Sequence, residues 1–186
     1  MRDRSTIDKS LEMNKLTRAA WAAIAILAFP ASANADEIFG GVYAHAVGTK
    51  LSLSSSRESG VDFHLGYRAD PIFSRIRLEP YAFAALNSKG DTSYAAAGLS
   101  RKFGDRFYIR PGIGLAVHNG STDDFSRDDR IAFGSRILIE TEVGVGARIN
   151  DRLTAEASLV HLSHGQVFGG QNPGIDNIGV RLNLKL

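Results

Sequence analysis

Residues 135–149, SRILIETEVGVGARI, decide the fold class of this chain. Ile137, Ile139, Val143, Val145, Ala147 and Ile149 fall on one side, and Arg136, Glu140, Glu142, Gly144, Gly146 and Arg148 on the other. Alternation over this length is the mark of a strand whose two faces meet different surroundings. The pattern recurs outward from this segment. Phe107, Ile109, Ile113, Leu115 and Val117 oppose Tyr108, Arg110, Gly112, Gly114 and His118. Val61, Phe63, Leu65 and Tyr67 oppose Asp62, His64, Gly66 and Arg68, and Ile178, Val180, Leu182, Leu184 and Leu186 oppose Asn177, Gly179, Arg181, Asn183 and Lys185.

About eight strands can be laid out on this basis, over 37–48, 58–69, 74–86, 92–103, 106–118, 135–149, 152–163 and 175–186. Gly104-Asp105 and Asn150-Asp151 read as tight turns and DPIFS (70–74) as a short one, whereas the connections near 49–57, 87–91, 119–134 and 164–174 are mostly longer and polar. Short turns on one side and longer loops on the other predict an all-β fold, an eight-stranded antiparallel transmembrane β-barrel. The apolar faces then meet lipid, and the charged faces fill the interior as mutually compensating pairs. A soluble barrel would invert this arrangement. The final strand, NIGVRLNL, carries the spaced apolar positions of an outer-membrane assembly signal, with Leu186 where an aromatic residue is usual. The first, third and fourth strands show no clear facing.

The N-terminal segment reads as separate from the barrel. AAWAAIAILAFP (19–30) is an apolar run preceded by Lys15 and Arg18 and followed by Ala33-Asn34-Ala35. This is the layout of a secretory signal peptide, expected over residues 1–35, with the barrel over 36–186. Met13 begins a signal of more usual proportions, so residues 1–12 read as an upstream-start artefact. Of the 22 basic and 20 acidic residues, five and three lie in residues 1–35, leaving 17 of each beyond them. The basic character therefore belongs to the leader and points to no nucleic-acid partner. There is no cysteine, hence no disulfide framework.

The chemistry sits near the end, in HLSHGQVFGGQNPGID (161–176). Leu153, Ala155, Ala157 and Leu159 share a parity with His161 and Ser163, which places that polar pair on the outward face. Asp176 shares the outward parity of Ile178 and Val180, and pairing the last two strands sets it opposite His161. With the N-terminus periplasmic, residues 161–163 lie at the extracellular rim. A nucleophilic hydroxyl, an imidazole and a carboxylate on one patch are the parts of a serine-hydrolase triad. Each also has a plainer reading: H-x-S as a polar rim, and Asp176 as an Asx-type turn residue after Pro173-Gly174. His161 and His164 are three apart on a strand and face opposite ways, so no metal site is expected. His45, His64 and His118 read as interior or rim polar residues, and STDDFSRDDR (121–130) as a solvated loop.

HLSHG followed by NPGID resembles the active-site region of the PagL-type lipid A 3-O-deacylases, eight-stranded outer-membrane barrels that carry H-x-S-N and an acidic residue about a dozen positions later. The resemblance implies an outer-membrane esterase that removes the 3-hydroxyacyl chain at position 3 of lipid A. It also implies His161 as base, Ser163 as nucleophile and Asp176 as orienting acid, with no cofactor. His164 departs from the family's asparagine. Gly165 and Asn172 then remain as the oxyanion or loop-supporting groups. The partners implied are lipid A or lipopolysaccharide in the outer leaflet and the barrel-assembly machinery, with a homodimer left open. The alternative is a non-catalytic structural or adhesive barrel of the small OmpA/OmpX kind.

Overall fold

The computed structural model describes residues 36–52, 58–73, 75–123, 130–165, 167 and 173–186. The strands are β1 (Glu37–Ala44), β2 (Val61–Arg68), β3 (Glu79–Asn87), β4 (Tyr94–Ser100), β5 (Phe103–Gly104), β6 (Phe107–His118), β7 (Ile137–Arg148), β8 (Leu153–Ser163) and β9 (Ile175–Lys185). All described pairings between strands are antiparallel, in the order β4-β3-β2-β1-β9-β8-β7-β6-β5. Pairing of β4 with β6 closes the sheet. The two-residue β5 continues the line of β4 past Arg101-Lys102, so the wall has eight staves. Closure leaves no unpaired edge, the condition for a sheet to cross lipid.

The two faces of the wall separate as the alternation requires. Ile109, Ile113, Leu115, Val143, Val145, Val180, Leu182 and Leu184 are exposed on the outside. Inside, Arg68, Arg110 and Arg181 are fully buried among Glu37, Glu79, Glu142 and Glu156. Arg181 grips Glu142 with both terminal nitrogens, at 2.8 and 3.0 Å, and meets Glu156 through Nε at 2.8 Å. Arg110 joins Glu156 to Glu37 at 3.1 and 3.2 Å. A buried charge of this kind is tolerated only when paired and hydrogen-bonded, and each guanidinium here has at least two carboxylate neighbours. Gly144 leaves the space that the Glu156 carboxylate occupies; a Cβ there would lie 2.2 Å from Oε1.

Two charges expected to help fill the interior stay out of the buried network. Arg136 precedes β7 and donates to the carbonyls of His118 and Gly120 at 2.9 and 3.4 Å. Arg148 keeps the inner parity but lies at the strand end, 40% exposed, paired with Asp105 at 3.0 Å. A strand's last charge can reach solvent and has no reason to enter the network.

The first, third and fourth strands now have a facing. Phe39 and Tyr43 of β1, Tyr81 and Phe83 of β3 and Tyr94 of β4 are buried inside, with His64 stacked on Tyr43 at 3.8 Å between ring centres. Above them the inner positions turn apolar: Leu138, Val160, Leu162 and Ile175 are buried with Ile131 and Phe133 of the connection between β6 and β7. Among the described residues the interior is filled by these side chains. The third strand starts later than expected, at Glu79, because the connection from β2 is longer and is pinned by an Ile72–Leu78 bridge. Phe73 and Arg77 take positive φ there, at 57° and 48°.

Candidate active site

Strand β8 presents Thr154, Glu156, Ser158, Val160 and Leu162 inward, all buried. His161 and Ser163 take the opposite parity and are partly exposed on the outer wall, beside Thr141 and Ile139 of β7. They stand where β8 ends, at the end of the barrel that carries the longer connections. That end is extracellular in barrels of this type.

His161 and Asp176 are direct partners in the β8–β9 register. His161 Nδ1 lies 2.6 Å from Asp176 Oδ1. A carboxylate can only accept, so Nδ1 carries the proton and Nε2 is left as the acceptor, the tautomer a general base needs. The imidazole is 19% exposed and the carboxyl group fully buried. Asp176 follows the outward parity yet is hidden, because the chain beyond β1 runs alongside it: Val47 N donates to the Asp176 carbonyl at 2.8 Å, and Thr49 Oγ1 donates to Oδ2.

Ser163 lies two residues from His161 on the same face, about 7 Å along the strand. Among the described residues it forms no side-chain hydrogen bond. Catalytic hydrogen bonds are often open in an unliganded site and close around substrate. Gly174 packs against both residues: a Cβ at this position would lie 3.2 Å from His161 Cε1 and 3.6 Å from Ser163 Cβ, and its φ is +64°. The chain thus passes close over the pair only because position 174 has no side chain and tolerates this backbone conformation.

His164 is buried and follows the inner parity, away from Ser163. Gly165 is exposed with φ 56°. Asn172 and most of the acidic 121–130 loop lie outside the described residues. His64 and His118 are buried inside. His45 is buried beyond the end of β1, with Nδ1 2.8 Å from Asp62 and Nε2 3.1 Å from Glu58. Burial opposes charge on this imidazole, but the two carboxylates outweigh it and push its pKa up to about 9, while Glu58 is held low. The alternation reading missed Thr49 and the packing role of Gly174. Thr49 lies 127 residues from Asp176 in a polar connection, where no periodicity marks it.

The chain matches the family described as Lipid A 3-O-deacylase (PagL) over residues 62–185. No curated protein matches it. Among solved structures it is similar to the outer-membrane enzyme PagL, at 20% identity and a TM-score of 0.58, over 81% of this chain and 99% of that one. It is also similar to Neisserial surface protein A (17% identity, TM-score 0.49, 81% and 97% coverage) and to a de novo designed transmembrane β-barrel (10%, 0.50, 85% and 100%). The likeness to the enzyme's structure shows the shared barrel fold, and the family match extends over β2 to β9, including the His161–Ser163 patch. The chain belongs to the lipid A 3-O-deacylase (PagL) family of outer-membrane ester hydrolases.

Proposed function

We propose that this chain hydrolyses the ester at position 3 of lipid A through Ser163, His161 and Asp176, and that residues 1–35 are its export signal. The observation that carries the mechanism is the 2.6 Å contact between His161 Nδ1 and the buried Asp176 carboxylate on the outward face of the barrel. Ser163 Oγ attacks the ester carbonyl carbon as its proton passes to His161 Nε2. Asp176 steadies the imidazolium that forms. The tetrahedral intermediate then collapses: the carbon–oxygen bond to the sugar breaks, and the proton on Nε2 goes to the departing sugar oxygen. Water, deprotonated by the same imidazole, cleaves the acyl-serine and releases the 3-hydroxy fatty acid. The exposed Gly165 amide and Asn172 are the groups proposed to support the oxyanion or its loop. An outward site suits this substrate, whose acyl chains lie in the outer leaflet beside an exposed apolar wall.

The deciding experiment is mass spectrometry of lipid A from cells expressing the protein or its Ser163→Ala variant. The wild type should release one hydroxyacyl group. The variant should insert normally and lose on the order of 10⁴-fold or more in rate. Near-normal deacylation by Ser163→Ala would remove Ser163 as nucleophile.

A further inference from the structure

We propose that Thr49 is a positioning residue of this site, its hydroxyl holding the Asp176 carboxylate so that Oδ1 faces the imidazole. The proposal rests on the reading of Asp176 as the orienting acid. Three neighbouring segments meet at this carboxylate. His161 on β8 takes Oδ1 from one side, and Thr49, in the continuation of β1, donates to Oδ2 from the other. These are the side-chain hydrogen bonds that Asp176 makes among the described residues.

The continuation of β1 is itself anchored. Ala46 N donates to Asn177 Oδ1 at 3.0 Å, Val47 N to the Asp176 carbonyl at 2.8 Å, and Leu51 N to Thr49 Oγ1 at 3.0 Å. The last of these bonds occupies a lone pair of the hydroxyl and helps aim its proton at the carboxylate. Such an anchor has a physical purpose, since the terminal torsion of an aspartate is broad and one hydrogen bond leaves the carboxylate plane poorly fixed. A donor on the second oxygen fixes that plane. Because Asp176 is fully buried, bulk solvent is not in contact with the second oxygen, and the Thr49 hydroxyl supplies its donor. At metal sites, removing the hydrogen-bond partner that orients a ligating side chain costs about 10- to 100-fold, and Thr49 has the same orienting relation to the Asp176 carboxylate.

The test uses the full barrel, refolded in detergent micelles, with purified lipopolysaccharide as substrate. Thr49→Val keeps the branched shape and removes the donor, while Thr49→Ser keeps the donor. Thr49→Val should lower kcat about 10- to 100-fold with KM nearly unchanged, and Thr49→Ser should recover most of that loss. The proton resonance of His161 Nδ1–H, identified by its disappearance in His161→Gln, should shift in Thr49→Val and return in Thr49→Ser. Normal kcat in Thr49→Val, a loss without the resonance shift, or a Thr49→Ser variant as slow as Thr49→Val would each overturn the proposal. Failure of the triad reading is separable: Ser163→Ala would then stay active, while the resonance would still report whether Thr49 acts on the His161–Asp176 pair.

Discussion

Replacing Asp176 with asparagine separates its two possible roles, because the amide has the same shape and keeps any turn function but loses the charge. In the structure the carboxylate accepts from His161 Nδ1 and from Thr49 Oγ1. An asparagine has two ways to satisfy both partners. With its oxygen toward His161, its NH₂ donates to Thr49, whose hydroxyl can accept. With its NH₂ toward His161, it donates to Nδ1, and the proton of a neutral imidazole must move to Nε2. The second arrangement leaves no base for Ser163, and the first offers only a neutral dipole to an imidazolium. Both keep the buried group hydrogen-bonded, so stability should change by no more than about 1 kcal/mol. The rate should fall by roughly 10³- to 10⁴-fold, as when the orienting aspartate of a serine triad loses its charge. That loss corresponds to about 4–5.5 kcal/mol of barrel-bound transition-state stabilisation at about 1.4 kcal/mol per tenfold. The assay is the initial rate of hydroxy fatty acid release from lipopolysaccharide in micelles, with heat-modifiable gel mobility as the check on folding. A folded Asp176→Asn barrel within threefold of the wild-type rate would refute the reasoning and leave Asp176 as a turn residue.

Gly174→Ala places a Cβ 3.2 Å from His161 Cε1 at a positive φ; activity should drop about 10- to 100-fold, and an unchanged kcat would show that the pair tolerates displacement. Arg181→Met leaves Glu142 and Glu156 facing each other without their shared cation. It should lower the unfolding free energy by about 3–5 kcal/mol, read as a shifted urea midpoint in micelles; an unshifted midpoint would show that Arg68 and Arg110 suffice. The raised pKa of His45 means that its contribution is full below about pH 6.5, declines as pH rises, and is gone above about pH 9. Hydrogen-exchange protection of the Thr92 and Ile131 amides, both bonded to Glu58, should therefore fall over that range. His45→Gln should flatten the dependence, and an equally steep fall in that variant would assign it to another group.

Strand parity is a local property, so the facing of β6 to β9 was already legible in the sequence. It set Glu142, Glu156 and Arg181 on the faces opposite their strands' apolar positions, and His161 and Ser163 on the apolar face of β8. The membrane-barrel reading, drawn from the loops and the leader, then made the first inner and the second outer. The same period put Asp176 on the face of His161, and pairing β8 with β9 as a hairpin set the two roughly opposite; the structure makes them direct partners. Where both faces are apolar or small the period says little. In β3, Tyr81, Phe83 and Ala85 compete with Ala82 and Ala84, and only closure of the sheet around the inner aromatic cluster chose the inward set. Partner choice among charges also needed three dimensions, since the cations of the interior come from β2, β6 and β9 and their carboxylates from β1, β3, β7 and β8. The burial of Asp176 belongs to the same class. Its outward parity predicts exposure, and it is hidden because a segment 127 residues away lies against it and donates to its second oxygen. Alternation records which way a side chain leaves its own strand; what covers it there depends on how the chain returns from elsewhere.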